Sequence, residues 1–355
     1  MNNYNLSAKT VKVTSAFLET TSLCNLRCKH CYNESGTKCV NLSVESIEKV
    51  ITGLILFGAK SFSISGGEPL LHPSFGEILC LLTKYPVNYL IISNGTLANE
   101  TISLLRQYTG RITLQISLDG LQKSHDCLRG NGAFEKVQKN IMILRSHEIP
   151  FYFKTTINKT NCKDLEEIVK LAISWGGTLV SFSFLNPIGR GLINTDLHMS
   201  DNEIVESFYS LESLKLKYAS QISIDIPHLY RNSICPWFSY DAGKILKFSP
   251  RIDVYGNVFL CNAFMNSKFS IGNINDSDIE NIILGKKAIQ LLNFLKLLKN
   301  YITCPTCVLN TECNRGCPVN FIERINGYDD NFCASRKKSF ITYICEKEHI
   351  EYNNI

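Results

Sequence analysis

Hydrophobic positions along the chain follow two spacings, one typical of strands and one typical of helices. Short β-rich runs predict six strands, at 15–21, 61–65, 88–93, 113–118, 151–157 and 179–185. Apolar residues three and four positions apart predict helices at 43–57, 73–85, 134–147, 165–174 and 200–218, the first of them capped by Ser43. Strands and helices that alternate in this way are typical of βα units, so the pattern predicts an α/β fold with a parallel sheet.

Three cysteines follow the first predicted strand, in the loop Cys24-Asn-Leu-Arg-Cys28-Lys-His-Cys31-Tyr32. Three thiolates at these spacings can reach three irons of one cubane cluster and leave the fourth iron without a protein ligand. The alternative is a zinc ion, with His30 as the fourth ligand. The adjacent positions of His30 and Cys31 make it hard for both side chains to point at one tetrahedral metal.

Composition narrows the classes of protein that the chain can belong to. With 355 residues and 45% hydrophobic content, it can bury a large core and carry a smaller appendage. A net charge of +5 without a dense Lys/Arg run argues against a nucleic-acid partner. Fifteen cysteines, no targeting segment and no run long enough to span a bilayer predict metal ligation in a cytoplasmic protein without a membrane partner.

The cysteine loop resembles that of radical S-adenosylmethionine (SAM) enzymes, whose CxxxCxxC motif ends next to an aromatic residue, here Tyr32. A second mark of that family, Gly66-Gly67-Glu68-Pro69, follows the second strand. The resemblance implies a partial (β/α)6 TIM-like barrel, with a SAM-binding [4Fe-4S] cluster on Cys24, Cys28 and Cys31. It also implies that SAM contacts lie at the carboxyl ends of the strands.

The SAM contacts implied by the resemblance are Gly66, Gly67, Glu68, Pro69, Asn94, Ser117, Asp119 and Arg129. Arg129 is the expected partner of a carboxylate, through its bidentate fork. Asn94-Gly95 and Asp119-Gly120 are also common turn dipeptides, so each has a purely structural alternative. We expect His125 and Asp126 to shape their loop, and Arg190 to anchor the turn after the sixth strand.

A second cysteine array lies toward the C-terminus, where zinc binding is again the alternative. It resembles the SPASM domain of radical SAM peptide maturases, which carries two auxiliary iron–sulfur clusters. The resemblance assigns one cluster to Cys235, Cys261 and Cys317, and the other to Cys304, Cys307, Cys313 and Cys333. Cys235 stands further ahead of Gly256 than the family pattern has it, so the first of these clusters is expected to be the less completely ligated. The predicted organisation is an extension at 1–14, a barrel at 15–199, a linker helix region at 200–234, a SPASM domain at 235–333 and a tail at 334–355.

The activity implied by the resemblance is reductive cleavage of SAM to a 5′-deoxyadenosyl radical, which abstracts a hydrogen atom from a substrate. The expected substrate is a ribosomally made peptide that is crosslinked, given a thioether or epimerised. An electron donor such as flavodoxin or ferredoxin is expected. Only residues 1–14 precede the first strand, so a leader would bind elsewhere on the chain or be recognised by a separate leader-binding protein, unless the substrate carries no leader.

Three alternatives stay open. A small molecule such as a tetrapyrrole or sugar would use the same motifs. Anaerobic sulfatase maturation is disfavoured, because Asn262 stands where those enzymes carry a catalytic Asp, and an amide does not accept a proton at neutral pH. A protein of another class, a non-catalytic electron carrier or zinc-binding protein, would leave the Gly66–Pro69 motif without a role.

Overall fold

The structure is a computed structural model that describes residues 10–96, 99–108, 110–227, 238–241 and 245–292. The strands in these ranges are β1 Val11–Val13, β2 Ala16–Thr21, β3 Ser61–Gly66, β4 Asn88–Ser93, β5 Ile112–Ser117, β6 Phe151–Ile157, β7 Leu179–Phe184, β8 Ser223–Asp225, β9 Phe238–Asp241, β10 Ile245–Phe248, β11 Arg251–Ile252, β12 Asn257–Phe259 and β13 Gly272–Asn273. The α-helices are α1 Val44–Leu56, α2 Phe75–Thr83, α3 Asn99–Leu105, α4 Gln122–Arg129, α5 Ala133–Ser146, α6 Leu165–Ser174, α7 Arg190–Ile193, α8 Asp201–Lys217 and α9 Ile279–Ile283.

The six predicted strands are present as β2 to β7, and they lie side by side in sequence order. All five of their pairings are parallel. The sheet order in the described residues is β13-β12-β11-β2-β3-β4-β5-β6-β7-β8. The predicted α/β class and parallel sheet are therefore confirmed, with a further parallel strand, β8, beyond the sixth predicted one.

The two faces of this sheet differ sharply in polarity. Leu18, Ile64, Ile91 and Leu114 form one cross-strand row, each paired with the next, and all four are buried in the core beneath the helices. Alternate positions along the same strands point the other way and are mostly polar and half-buried. We call this second surface the inner face. A closed barrel fills its interior with packed apolar side chains. The inner face here carries polar, half-buried side chains instead, so a ligand can be held there.

Two segments take part in the fold in ways that the sequence did not indicate. Residues 11–13, expected in an N-terminal extension, form β1, which pairs with β10 in a second sheet with the order β1-β10-β9. Helix α8, predicted as part of a linker region, packs on α6, where Lys217 and the hydroxyl of Tyr218 both contact the carboxylate of Glu166. No helix among the described residues is both long and apolar enough to cross a bilayer.

A buried ion pair joins the first barrel strand to the segment that follows the barrel. Strand β11 pairs in parallel with β2, and Arg251 Nε on β11 donates to Glu19 Oε1 on β2 at 2.8 Å. Arg251 also donates to the carbonyl of Phe264 at 2.8 Å. Burial raises the pKa of Glu19 even though Arg251 acts in the opposite sense. Neither charge reaches water, so each depends on the other for its stability.

We expect Arg251→Met to lower the free energy of unfolding by about 3–5 kcal/mol, because it leaves the Glu19 carboxylate buried without its cation. Lys49→Met is the matched control, since Lys49 pairs with Glu45 across exposed side chains and should change stability little. Urea unfolding followed by circular dichroism measures both variants. Equal effects in the two variants would contradict the role assigned to the buried pair.

Candidate SAM and cluster site

The cysteine loop begins directly after β2 and has no regular secondary structure until α1. Cys28 is buried, whereas Cys24 and Cys31 are half-buried. Within the loop, the amide of Cys31 donates to the carbonyl of Cys28 at 3.2 Å, and the amide of Gly36 donates to the carbonyl of Ser22 at 2.9 Å. Further hydrogen bonds close the base of the loop, such as that from the amide of Ser22 to the carbonyl of Val40 at 2.8 Å, and side chains from other elements hold the cysteine segment.

Side chains from the far end of the barrel hold the backbone of this loop. Arg190 donates from Nε to the carbonyl of Cys28 at 2.8 Å and from Nη1 to the carbonyl of Ser35 at 3.3 Å. Asn194 Nδ2 donates to the carbonyl of Lys29 at 2.9 Å. Arg190 therefore anchors the cysteine loop, whereas the sequence predicted an anchor for the turn after the sixth strand.

Hydrogen-bond donors are aimed at two of the three cysteine sulfurs. Arg129 Nη1 lies 3.8 Å from Cys28 Sγ. Asn94 Nδ2 lies 3.9 Å from Cys24 Sγ, and the amide of Leu26 lies 3.5 Å from the same sulfur. Burial raises the pKa of the Cys24 thiol to about 11 and also raises that of Cys28. Thiolates here need positive charge and donors close by, so this set of residues fits an iron–sulfur cluster.

Arg129 also belongs to a buried cluster of charged side chains beneath the loop. Its Nε donates to Asp119 Oδ2 at 2.6 Å, and its Nη2 lies 3.4 Å from His30 Nε2. His30 Nε2 is itself 3.3 Å from Asp119 Oδ2. Burial raises the pKa of Asp119, but Arg129, together with His30, His125 and the Thr156 amide, outweighs burial and the pKa is lowered. The three guanidinium nitrogens of Arg129 thus all face protein partners, and its predicted contact with SAM stays a prediction.

His30 is the residue that the zinc alternative requires. Its Nε2 faces Asp119 and Arg129, while its Nδ1 is buried without a hydrogen-bond partner among the described residues. Nowhere in the described ranges do three His, Cys, Asp or Glu side chains converge at the distances of a single metal ion. A cubane has a different requirement, because each thiolate binds its own iron.

The two glycines after β3 allow a close approach between neighbouring backbones. Gly66 has φ +130, and a Cβ there would lie 2.2 Å from the carbonyl oxygen of Thr21. A Cβ on Gly67 would lie 2.1 Å from the carbonyl oxygen of Leu23. The amides of Gly67 and Glu68 donate to those same two carbonyls, each at 2.7 Å. Glycine is needed here so that the end of β3 can support the first residues of the cysteine loop.

Glu68 turns its carboxylate inward. One oxygen accepts from the amide of Asn94 at 2.8 Å, and the other accepts from the amide of Leu70 at 3.4 Å, at the start of a short 3₁₀ turn that begins with Pro69. Burial raises the pKa of Glu68 to about 7. Glu68 therefore fixes the end of β4, from which Asn94 reaches Cys24.

Ser117 and Asp119 lie at the end of β5 but face different surroundings. Ser117 is half-buried on the inner face, in register with Lys154 of β6. Asp119 is fully buried, and its second oxygen accepts from the amide of Thr156 at 2.8 Å. His125 Nδ1 accepts from the amide of Asp119 at 3.2 Å, and Asp126 accepts from the amides of Gly132 and Phe134. These three hydrogen bonds agree with the loop-shaping roles expected of His125 and Asp126.

Of the predicted auxiliary-cluster ligands, Cys261 is the one within the described residues. It is buried just after β12. Strands β11 and β12 form a hairpin whose turn holds Gly256 at φ +84, with Asp253 accepting from the amides of Tyr255 and Asn257. Strand β12 of this hairpin lies between Gly256 and Cys261 and so sets the spacing between them. Cys235, Cys304, Cys307, Cys313, Cys317 and Cys333 lie outside the described residues, so their ligand roles stay predictions.

The chain matches the radical SAM superfamily over residues 18–172 and the SPASM iron-sulfur cluster-binding domain over residues 245–314. It is 29% identical to the antilisterial bacteriocin subtilosin biosynthesis protein AlbA of Bacillus subtilis, over 75% of this chain and 58% of AlbA. It is 32% identical to the AdoMet-dependent heme synthase of Methanosarcina barkeri, over 55% of this chain and 57% of the synthase. The chain thus spans less than three fifths of either relative.

Among solved structures, the fold is similar to Streptococcus suis SuiB bound to its precursor peptide SuiA. The TM-score is 0.71 at 18% identity, with 88% of this chain and 73% of SuiB covered. The chain therefore carries a region similar to the radical SAM superfamily, followed by a region similar to the SPASM domain. SAM and [4Fe-4S] clusters are the cofactors that these two domains use.

Three charged residues on strands, buried or half-buried, were not predicted from the sequence: Glu19, Lys154 and Arg251. His30 was considered only as a zinc ligand, whereas it pairs with Asp119. Glu19 and Lys154 could have been predicted, because a charged residue within an otherwise β-rich run indicates the inner face of a barrel strand. Their partners could not be read from the sequence, since they come from other strands.

We expect Gly67→Ala to displace the cysteine loop and to reduce the iron bound after anaerobic reconstitution severalfold, because the new Cβ would meet the Leu23 carbonyl. Gly110→Ala is the control, since a Cβ there meets no atom within 4 Å. Iron analysis and visible absorption per folded chain provide the measurement, with circular dichroism to verify folding. Full iron loading of Gly67→Ala would show that cluster binding does not require the close approach between Gly67 and the Leu23 carbonyl.

Proposed function

We propose that this protein is a radical SAM enzyme that modifies a ribosomally made peptide. The observation that carries the proposal is the cysteine loop, held at the strand ends by Arg190 and supplied with donors to Cys24 and Cys28 from Asn94 and Arg129. When bound, the cluster and SAM would supply a 5′-deoxyadenosyl radical that abstracts a hydrogen atom from an unactivated C–H bond.

The residues of the chain would hold the reactants and exclude water. Arg129 and Asn94 would donate to the sulfurs of Cys28 and Cys24, and the closely packed Gly66–Gly67 segment would keep the loop from moving. Ser117, half-buried on the inner face at the end of β5, would be one of the SAM contacts that the family resemblance implies. Such fixed positioning is what brings a short-lived radical to one C–H bond rather than another.

A peptide substrate is supported by the relatives. AlbA is named for biosynthesis of the bacteriocin subtilosin, and SuiB has been solved with its precursor peptide. A flavodoxin- or ferredoxin-like donor would supply the electron, and a separate protein would recognise the leader. Modification of a tetrapyrrole is the second candidate, favoured by the 32% identity to the heme synthase. Sulfatase maturation is opposed by Asn262, whose amide is not a base.

The test of the radical chemistry is anaerobic formation of 5′-deoxyadenosine from SAM and dithionite. We expect Cys24→Ala, Cys28→Ala and Cys31→Ala each to abolish the product, because each removes one of the three expected iron ligands. Cys80→Ala is the matched control, since Cys80 is an exposed cysteine on α2. Retained product in Cys28→Ala, or zinc in place of iron in the reconstituted protein, would contradict the proposal.

The choice between substrates is tested separately with the active enzyme. Candidate precursor peptides and iron coproporphyrin are each incubated with SAM, and products are analysed by mass spectrometry. Loss of hydrogen from a peptide residue, or deuterium uptake at a Cα from heavy water, supports the peptide. Turnover of the porphyrin alone would favour the second candidate.

A further inference from the structure

A row of four directly paired residues crosses the inner face from β5 to β8. Ser117 of β5 pairs with Lys154 of β6, Lys154 pairs with Ser181 of β7, and Ser181 pairs with Asp225 of β8. The orientation of Lys154 follows from its neighbour Phe153, which packs against Trp175 at the end of α6 on the outer face. Successive side chains on a strand point to opposite faces, so Lys154 points inward.

The ammonium group of Lys154 is held by a neutral partner. Nζ donates to Ser181 Oγ at 2.9 Å, and Ser181 Oγ in turn donates to Asp225 Oδ2 at 2.7 Å. In the described part of the chain no carboxylate forms a direct ion pair with Lys154, and Asp225 itself is exposed at the edge of the sheet. Burial lowers the pKa of Lys154, and Asp225 and Asp119 oppose that shift.

Two other buried cations in the described ranges already have charged partners. Arg129 is bound by Asp119, His30 and the sulfur of Cys28. Arg251 is bound by Glu19 and by the Phe264 carbonyl. Lys154 differs from both, because an ammonium has three donors and a single acceptor is in place among the described residues. A ligand carboxylate would complete its hydrogen bonds and offset the cost of its burial.

The position of Lys154 favours the substrate over SAM as the source of that carboxylate. The cysteine loop follows β2, four strands away from β6 in the sheet order, and the Asp119–Arg129 pair links the two regions by accepting from the Thr156 amide of β6 and reaching Cys28 Sγ. Lys154 itself directs Nζ the other way, to Ser181 of β7, toward the β8 end of the described sheet.

We propose that Lys154 is a specificity-determining residue that binds a carboxylate of the peptide substrate, an acidic side chain or the C-terminus, on the inner face of the barrel. This inference rests on the proposed function, since it presumes that the inner face receives a peptide. Ser181 and Asp225 orient the ammonium before the peptide arrives. Tyr152 and Gln115, joined by a hydrogen bond of 2.9 Å, extend the polar surface beside it.

The probe is a library of random short linear peptides, selected anaerobically for binding to the full-length, cluster-loaded protein with SAM. We expect wild type to enrich Asp, Glu or a free C-terminus at one position, roughly tenfold or more, as expected for one charge-assisted hydrogen bond. Lys154→Met should lose this preference, and Lys154→Glu should reverse it toward Lys and Arg. Lys139→Glu is the control for a change of charge alone, since Lys139 lies exposed on α5.

Two further measurements separate the possible failures. The affinity for SAM is measured for each variant, and a tenfold loss in Lys154→Met with an unchanged peptide preference would assign the lysine to SAM and overturn the proposal. The same peptide pool for wild type and Lys154→Met, or no acidic enrichment at all, would also overturn it. Formation of 5′-deoxyadenosine by wild type is followed in parallel, since its absence contradicts the proposed function rather than the role of Lys154.

Discussion

The buried ion pair between Arg129 and Asp119 is the interaction on which the site depends. Removing two charges from water is costly, and the pair is stable here because its remaining hydrogen-bonding groups are also satisfied. Asp119 accepts from the amide of Thr156 on β6, while Arg129 reaches Cys28 and His30 in the cysteine loop. One pair thereby connects β5, β6, α4 and a loop that has little regular structure of its own.

The same principle explains how the two domains meet. Glu19 lies on the strand that leads into the cysteine loop, and Arg251 lies on the hairpin that leads to Cys261. Their contact joins the start of one expected cluster site to the start of another. Because the pair is buried, a shift of the hairpin away from β2 would leave the Glu19 carboxylate in an apolar environment without its cation. The relative position of β2 and β11 is therefore strongly determined.

The inner face combines two properties that the proposed function requires. Its strands are anchored from behind by an apolar core, so that the polar side chains on the other face have defined positions. Those side chains are half-buried, so a ligand that contacts them would experience a lower effective dielectric constant than in water. Lys154 lies in this environment beside Ser117. A charged group there discriminates between substrates more strongly than it would at the surface.

Several elements could be predicted from the sequence because their signals are local. The strands around Ile64 and Phe153 follow from β-rich runs, and the α1 cap on Ser43 follows from the residue itself, whose hydroxyl accepts from the amide of Ser46. The Cys24–Cys31 spacing and the Gly66–Gly67 pair were equally visible. The reason for the glycines could not be predicted from the sequence, because Gly66 and Gly67 approach Thr21 and Leu23 at the end of β2, a contact that no local pattern describes.

The sequence by itself determined the class of fold, the family motifs and the residue types available for cluster binding, since all of these are written in short stretches of chain. Tertiary structure decided which charges meet. It directed Arg129 to Cys28 and Asp119, joined Glu19 to Arg251, and left Lys154 with a neutral hydroxyl. The physical reason is that these partners are far apart in sequence, and strand order and register alone bring them within hydrogen-bonding distance.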